Sequence, residues 1–186
     1  MIESLIVFGV AILVYPNSLQ GEFLFDDGPV LKATLKLRNE SWRTWIRWMF
    51  MARHSFPRPL LFLTYKLNHR LSGENLFGWH LTNVGIHALN SVLAYLILIR
   101  FFEGFGPLLG ALIFATHPLA TSAVSSISGR SASLCAVFYF SGLLTIVNGW
   151  WLLVPLLFWW GVKSKGEMVV MPIAGLAMWF VMKTIP

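Results

Sequence analysis

Long apolar runs constrain the fold of this chain more than any other feature. Six stretches are almost wholly apolar, at residues 4–19, 79–102, 108–123, 132–147, 150–162 and 168–182. A transmembrane helix needs about 20 mainly apolar residues, and shorter runs are tolerated where neighbouring helices bury their ends. The sequence therefore predicts an all-α polytopic membrane protein with about six transmembrane helices, built as a single domain over residues 1–186.

The composition supports a membrane protein and excludes several other classes. Of the 186 residues, 56% are hydrophobic and 12% are charged, whereas soluble domains carry about 25% charged residues. This excludes a soluble globular domain, a disordered tail and a coiled coil. The first apolar run has no Lys or Arg before it and no small-residue cleavage site after it, so we expect a retained helix rather than a signal peptide.

The net charge of +6 is unusual for so apolar a chain. In a soluble protein such an excess suggests nucleic acid, but in a membrane protein the natural partners are phosphate groups of lipids or of lipid-linked substrates. The single cysteine, Cys135, lies inside an apolar run. It cannot form an intrachain disulfide, and we expect it to be a small buried residue.

One long polar segment, residues 20–78, separates the first two apolar runs. It holds nine of the fourteen basic residues and five of the eight acidic ones, and nine minus five leaves a charge of +4. A segment of this length without structure would be unusual in a compact protein, so we expect two helices inside it.

Both predicted helices of this segment are amphipathic. The first covers residues 40–53, and its apolar residues recur at helical spacing: Trp42, Trp45, Ile46 and Met49. The second begins at Pro59, in a position that favours proline, and ends at Ser72. Its apolar stripe is formed by Leu60, Leu63, Leu67 and Leu71. Because aromatic and basic residues flank apolar faces, both helices are predicted to lie in the membrane interface.

Two adjacent carboxylates, Asp26 and Asp27, directly follow the apolar residues 23–25. They are expected at the bilayer surface, just after the first span. Paired carboxylates near a low dielectric suit a general base or a cation site. The alternative is a solvated turn at Asp27-Gly28-Pro29, and the pair by itself does not decide between them.

A polar seam follows one face of the next apolar run. It consists of His80, Asn83, His87 and Asn90, which recur at helical spacing. Such a seam either forms interhelical hydrogen bonds or lines a substrate cavity. The two histidines lie nearly two turns apart, which is too far for one metal ion, so no metal site is predicted.

Polar residues also interrupt or end the later apolar runs. His117 ends one run, and Arg130 follows a small polar connection, where it either binds phosphate or anchors a helix at the interface. Lys163, Lys165 and Glu167 interrupt the last apolar region. These three either form a short loop between two spans or face a charged headgroup.

Four motifs, in order along the chain, carry a resemblance to a known family. They are Phe23-Leu24-Phe25-Asp26-Asp27; Arg58-Pro59-Leu60 with residues 63–68; Trp79-His80-Leu81-Thr82-Asn83 with residues 87–90; and Phe114-Ala115-Thr116-His117-Pro118 with Val124 and residues 128–131. A looser fifth match is Ser164-Lys165-Gly166-Glu167, where the family usually has Lys and Glu adjacent. With these motifs the chain resembles the N-terminal transmembrane part of the GT-C glycosyltransferases, most closely the TMTC type of protein O-mannosyltransferase-like proteins.

The resemblance implies a reaction. GT-C enzymes transfer a sugar from a polyprenyl-phosphate donor in the membrane to an acceptor on the extracytoplasmic or luminal side. An Asp in the first extracytoplasmic loop is their catalytic base, and by resemblance that base is Asp26, with Asp27 assisting. A positioned carboxylate suits proton removal from an attacking hydroxyl, and fixed cations suit the leaving phosphate.

The resemblance also implies which residues bind the substrate. Arg58 is the first choice for the cation beside the donor phosphate, because a basic residue before Pro-Leu occupies that place in related aminoarabinose transferases. The second choices are Lys66, Arg130 and Lys165. Further candidates for contact with the lipid phosphate or the sugar are His80, Asn83, His87, His117 and Glu167. An activated donor needs no cofactor, and since relatives differ in their use of a divalent cation, none is predicted.

The family topology conflicts with a general rule. It places the N-terminus in the cytoplasm and residues 20–78 outside, whereas the positive-inside rule would draw the basic residues inward. We follow the family, because the rule is strongest for short loops and these residues have phosphates to face. The active site is then expected on the extracytoplasmic side of a cell inner membrane, or on the luminal side of the ER membrane in a eukaryote.

Typical relatives have more spans, followed by a TPR domain, which leaves three alternatives open. The chain is a minimal glycosyltransferase, a subunit that works within a larger complex or oligomer, or a non-catalytic relative that binds a lipid or a partner membrane protein. The predicted partners are the polyprenyl-phosphate sugar donor and membrane lipids, with no nucleic acid. The sequence does not indicate the sugar, or whether the acceptor is a protein, a lipid or a glycan.

Overall fold

A computed structural model describes residues 2–22, 26–50 and 58–184 of the chain. Within these ranges the chain is helical and has no β-strand. The α-helices are α1 (Ile2–Leu13), α2 (Asp27–Leu37), α3 (Trp42–Phe50), α4 (Pro59–Ser72), α5 (Leu76–Leu98), α6 (Gly106–Thr116), α7 (Thr121–Ser125), α8 (Arg130–Val147), α9 (Val154–Val162) and α10 (Met171–Thr184). Short 3₁₀ turns cover Pro16–Gln20, Pro118–Ala120, Trp151–Leu153 and Gly166–Val170.

Three helical segments are long and apolar enough to cross a membrane: α5, α8 and Gly166–Thr184, which contains α10. A fourth results if α6 and the segment Pro118–Ser125 count as one span, although the two are bent by 45°. α1 and the segment Trp151–Val162 are apolar but shorter. The described chain is therefore an all-helical membrane protein, while the number of about six spans stays a prediction.

The apolar helices α1, α5 and α6 are neighbours in the bundle. They meet in two buried layers, which are Val7, Tyr95, Leu108 and Ala111; and Ala11, Ala88 and Ala115. A third layer continues this series with Tyr15 just after α1, Val84 of α5 and Val124 of α7. Residue numbers rise from layer to layer along α1 and α6 and fall along α5, so α5 is antiparallel to both. The small alanines of the middle layer let the three backbones approach closely.

Two side-chain contacts set the direction of α8. Asn83 of α5 donates to the carbonyl of Ser126, just before α8. Two turns further on, Asn90 donates to the carbonyl of Ser133 within α8. Since both series of residues ascend together, α8 runs parallel to α5.

Glycines allow α10 to pack closely on α8. Met171 occupies the space beside Gly142, and further along Ile146 occupies the space beside Gly175. A Cβ atom on either glycine would collide with the neighbouring side chain. α10 therefore runs parallel to α8, and α9 returns the chain between them. Cys135 of α8 is buried, as predicted.

Helices α2, α3 and α4 lie at the end of the bundle where α5 begins. α4 begins at Pro59 and ends before Gly73, whose positive φ of 57° terminates the helix as predicted. Leu61 and Tyr65 of α4 are buried and pack with Trp79 at the start of α5. This contact places the polar segment directly over the N-terminal ends of α5 and α8.

One detail of the prediction for this segment is wrong, because the first amphipathic helix begins at Trp42 and not at residue 40. Residues 51–53 of that predicted helix lie outside the described ranges. On α4, two residues of the leucine stripe, Leu67 and Leu71, are 43% and 87% exposed, while Lys66 is buried. The buried face carries Leu61, Tyr65 and Asn68 instead. The location of α3 and α4 in the membrane interface stays a prediction.

Candidate functional site

Arg130, the first residue of α8, is fully buried at the junction of α4, α5 and α8. Its Nε donates to Oδ1 of Asn83 at 2.7 Å. Its Nη2 donates to Oδ1 of Asn68 at 2.6 Å and to the carbonyl of Trp79 at 3.0 Å. The guanidinium carbon lies 4.8 Å from the centre of the Tyr65 ring. We call these five residues the Arg130 cluster.

The Arg130 cluster has a structural role. Removing a guanidinium from water is costly, and here charge-assisted hydrogen bonds and aromatic faces compensate that cost. Its Nη1 has no hydrogen-bond partner among the residues that the structure describes. Arg130 was predicted either to bind phosphate or to anchor a helix at the membrane surface. Both roles need an accessible side chain, whereas three helices enclose Arg130 completely.

Asp27 is also fully buried, so the predicted alternative of a solvated turn is wrong for this residue. Its Oδ1 accepts hydrogen bonds from the Ser126 hydroxyl at 3.0 Å and from the Ser128 backbone N–H at 2.8 Å. As the first residue of α2, its carboxylate also suits the positive end of the helix dipole. Asp27 thereby fixes α2 to the loop that precedes α8.

The same loop, residues 126–128, is held from two other sides. The Tyr65 hydroxyl donates to the Ile127 carbonyl at 3.0 Å, and Asn83 donates to the Ser126 carbonyl at 2.7 Å. Burial raises the pKa of the Tyr65 hydroxyl, and the nearby Arg130 opposes this only in part. The hydroxyl therefore stays protonated as a donor, and helices α2, α4 and α5 together define the shape of the loop.

An open groove lies on the outer side of this loop. Its volume is about 440 Å³, and it is lined by Asp26, Ser122, Ala123, Ser126, Ser128, Gly129, Ser131, Ala132 and Lys165. Asp26 is exposed, in contrast to its buried neighbour Asp27. We call this feature the Asp26 groove; it combines one accessible carboxylate, one amine and several hydroxyl groups.

Lys165 supplies the positive charge of the Asp26 groove. Its Nζ lies 2.9 Å from Oε1 of Glu167, and the two side chains are 25% and 64% exposed. Arg58, exposed just before α4, is close enough to interact electrostatically with Glu167. The structure thus brings three charged candidates, Lys165, Glu167 and Arg58, to the side of the molecule where Asp26 lies.

Gly129 lets the walls of the groove approach each other. A Cβ atom at this position would lie 2.7 Å from the carbonyl oxygen of Ser122 and 2.8 Å from the backbone of Ala123. Contacts this short require a glycine, because backbone atoms cannot yield as a flexible side chain can. The residue therefore allows α7 to pack against the start of α8.

The polar seam of α5 lies inside the bundle. His87 makes a 3.0 Å hydrogen bond between its Nε2 and the Ala115 carbonyl, and Asn90 donates to Ser133 at 2.8 Å. Together with the two contacts of Asn83, these bonds confirm the interhelical alternative for those three residues. His80 is fully buried as well, and its ring packs against Gly21.

Two further candidates lie apart from the Asp26 groove. The ring of His117 caps the turn after α6, where its Nδ1 accepts a hydrogen bond from the Leu119 N–H at 3.2 Å. Lys66 lies in the second half of α4 and belongs to a different pocket, with Arg38 and Arg70. Neither residue lines the Asp26 groove.

Several residues that shape the site were not among the predicted site residues. Asn68 and Tyr65 hold Arg130, while Ser126 and Ser128 bind Asp27. All but Ser126 lie in the motifs that carry the family resemblance. Their roles depend on the burial of Arg130 and Asp27, which local sequence patterns do not show.

No three His, Cys, Asp or Glu side chains within the described ranges lie together in a way that could hold a metal ion. The Asp26 groove itself offers a carboxylate, an amine and several hydroxyl groups.

Comparison with known proteins gives one consistent group of relatives. The human protein O-mannosyl-transferase TMTC2 is 31% identical over 159 residues, which cover 80% of this chain and 19% of the relative. Human TMTC4 is 32% identical over 166 residues, covering 76% and 22%, and human TMTC1 is 35% identical over 150 residues, covering 74% and 17%. The homologues of this chain are therefore protein O-mannosyl-transferases of the TMTC group, which is consistent with a TMTC-like, GT-C-type module.

The TMTC-like module spans only about a fifth of the length of these relatives. No protein-family model matches the chain, and no solved structure does. The resemblance found in the motifs is thus confirmed by homology over most of the chain. Together with the apolar helices, it supports a membrane protein.

Proposed function

We propose that this chain supplies the catalytic groove of a membrane glycosyltransferase, which moves a sugar from a polyprenyl-phosphate donor to a hydroxyl acceptor, with Asp26 as general base. The observation that carries the proposal is the Asp26 groove itself. It exposes one carboxylate and holds one amine in a serine-rich wall. Behind that wall, Tyr65 and Asp27 hold the loop 126–128 by hydrogen bonds. The names of the relatives make mannose the first sugar to test.

The reaction assigns a role to each charged group. The acceptor hydroxyl oxygen forms a bond to the anomeric carbon, and the bond from that carbon to the donor phosphate oxygen breaks. Asp26 takes the hydroxyl proton, and the phosphate leaves with the electron pair of the broken bond. Lys165 stabilises the charge that develops on this phosphate, with Arg58 as the next cation nearby.

Asp27 has a different task in this proposal. Its carboxylate is fully buried and accepts hydrogen bonds from Ser126 and Ser128, so a substrate hydroxyl does not reach it. By fixing the loop that forms the groove wall, it positions Asp26 and acts as a positioning residue. The family resemblance implies that the second aspartate assists the catalytic base, and here that assistance consists of positioning Asp26.

The chain direction supports six membrane crossings. Helix α1 is antiparallel to α5, because Glu3 near its start accepts a hydrogen bond from Tyr95, whereas Tyr15 just after its end lies against His87. The direction of the chain then alternates through five further segments, which are α5, the bent segment α6–α7, α8, α9 and α10. The groove and the layer α2–α4 then lie on the opposite side of the membrane from the N-terminus. With the family topology, that side is extracytoplasmic or luminal.

Transfer of labelled mannose from a polyprenyl-phosphate donor tests the proposal. The chain, reconstituted in liposomes, is compared with Asp26→Asn and with the control Glu103→Gln, an exposed acid in the loop between α5 and α6. We expect the Asp26 variant to lose about 10²–10⁴ in rate, as is typical of a missing general base. The control should keep the rate of the unsubstituted chain.

Two other outcomes carry information. Full activity of Asp26→Asn would overturn the base assignment. If no preparation transfers sugar, while the chain copurifies stably with a larger membrane complex that does, the proposal of an accessory subunit replaces it.

A further inference from the structure

A second pocket lies between the end of α2, the start of α3 and the second half of α4. Its volume is about 290 Å³, and it is lined by Arg38, Asn39, Trp42, Lys66, His69 and Arg70. Three of these side chains are cationic, and none of the six is a carboxylate. The pocket therefore gathers a third of the basic residues of the segment 20–78 in one place, three of nine.

Lys66 is the fixed element of this pocket. It is only 9% exposed, and its Nζ donates to the backbone carbonyl of Glu40. The same ammonium lies 5.0 Å from the centre of the Trp42 ring and 5.3 Å from that of Trp45. A cation held in this way by a carbonyl and two aromatic faces keeps its position without an ion pair.

The positive charges of the pocket are not balanced from within. Burial lowers the pKa of Lys66, and the like charge of Arg70 lowers it further. The negative charge of Glu40 raises this pKa, but by less than the other two effects lower it. A bound anion between the two arginines and Lys66 would remove that repulsion. The planar guanidinium groups of Arg38 and Arg70 suit the oxygens of a phosphate, and Lys66 adds a point charge.

The basic pocket is separate from the Asp26 groove. Asp27, at the start of α2, lies under the groove, whereas Arg38 directly follows the end of the same helix. Since α2 has 11 residues, its two ends are about 16 Å apart at 1.5 Å per residue. No lining residue is shared between the groove and the pocket.

We propose that this pocket is a second anion site, which binds a phosphate group between Arg38, Lys66 and Arg70. The phosphate belongs to the headgroup of an anionic membrane lipid or is free in solution. In the first case, the site holds the layer α2–α4 on the membrane surface. In both cases, it is independent of the reaction at Asp26.

Ligand-dependent thermal unfolding of the purified chain in a neutral detergent tests the site. Three probes are titrated: inorganic phosphate, a short-chain phosphatidylglycerol and the matching phosphatidylcholine. A ligand that binds only the folded chain raises the unfolding midpoint in a saturable way. The site variant is Arg38→Gln/Arg70→Gln, and the control with the same loss of charge is Lys32→Gln/Lys36→Gln, on the exposed side of α2.

We expect saturable stabilisation of the unsubstituted chain and of the control. In the site variant the apparent affinity should fall by about tenfold or more, because two charge-assisted contacts are lost. Because Arg38 and Arg70 are exposed, the unliganded midpoint of the site variant should stay unchanged, which shows that it folds.

The three probes distinguish the sources of the phosphate. Stabilisation by phosphatidylglycerol alone identifies a lipid headgroup, and stabilisation by inorganic phosphate alone, or by both, identifies a general phosphate site. Equal stabilisation by phosphatidylcholine, or equal loss of affinity in the site variant and the control, would overturn the proposal.

Discussion

The Arg130 cluster and the Asp26 groove lie on either side of the loop 126–128 and use the same kinds of side chain in opposite ways. In the cluster, a charged residue is buried and several fixed groups hold it. In the groove, a carboxylate and an amine remain accessible beside hydroxyl groups. The comparison shows that partners and burial, rather than residue type, separate structural from chemical roles, since two adjacent aspartates fall on opposite sides of that division.

Replacing the buried arginine should produce the largest effect. Arg130→Met leaves the amide oxygens of Asn68 and Asn83 without their donor in a buried place, and each buried acceptor left unsatisfied costs about 1–3 kcal/mol. The unfolding free energy in mixed detergent micelles measures this. Arg43→Met, on the exposed side of α3, is the matched control and should remain near the unsubstituted value. Similar stability of both variants would show that the cluster does not hold the helices together.

The two aspartates should differ in their effect on stability. Asp27→Asn keeps an oxygen that can accept from Ser126 and Ser128, but it removes the negative charge that strengthens both hydrogen bonds and suits the N-terminus of α2. The unfolding free energy should therefore fall by about 1–2 kcal/mol. Asp26→Asn should leave it unchanged, because the side chain is exposed. Parallel unfolding titrations of the two variants check the difference. A larger loss in Asp26→Asn would reverse the assignment of roles.

The glycine at the groove wall gives a test of close packing. Gly129→Ala forces α7 and α8 apart, since the added Cβ would lie 2.7 Å from the Ser122 carbonyl, and overpacking of this kind costs about 1–3 kcal/mol. The control is Gly85→Ala, since nothing lies within 4 Å of the Cβ position at Gly85. Gly104→Ala would be less suitable, because the φ of 67° at Gly104 would strain an alanine. Equal stability of the Gly129 and Gly85 variants would contradict the packing assigned to Gly129.

Loss of the groove amine should have the smallest effect on stability. Lys165→Gln removes the ion pair with Glu167, which is partly exposed and therefore contributes little. If Lys165 stabilises the leaving phosphate, the same variant should lose about 10²-fold in transfer rate. Lys183→Gln, near the end of α10, is a control with the same change of charge. Unchanged transfer in Lys165→Gln would leave Arg58 as the cation to test next.

Sequence patterns predicted where the helices lie along the chain better than which face of each helix is buried. The class of fold, the apolar segments and the limits of α4 at Pro59 and Ser72 followed from composition, periodicity and helix-end residues. The buried face of α4 did not, because its leucine stripe needs no protein partner where lipid can cover it. Tyr65 and Asn68 point inward since the buried Arg130 requires a ring and an amide oxygen.

The candidate site could be predicted only in part. The family motifs contain Asp26, Arg58 and Lys165, and in the structure these three residues lie on one side of the molecule. The sequence could not show that Asp27 is buried and Asp26 exposed, because this depends on which of the two side chains points toward Ser126. Such long-range contacts leave no signal in local spacing.

Sugar transfer and stability measured on the two aspartate variants decide whether Asp26 is the general base. We expect Asp26→Asn to unfold like the unsubstituted chain but to transfer mannose about 10²–10⁴ times more slowly. Asp27→Asn should be less stable and, where it is still folded, retain more of the transfer rate than Asp26→Asn. An Asp26→Asn chain that transfers sugar at the unsubstituted rate would show that Asp26 is not the base.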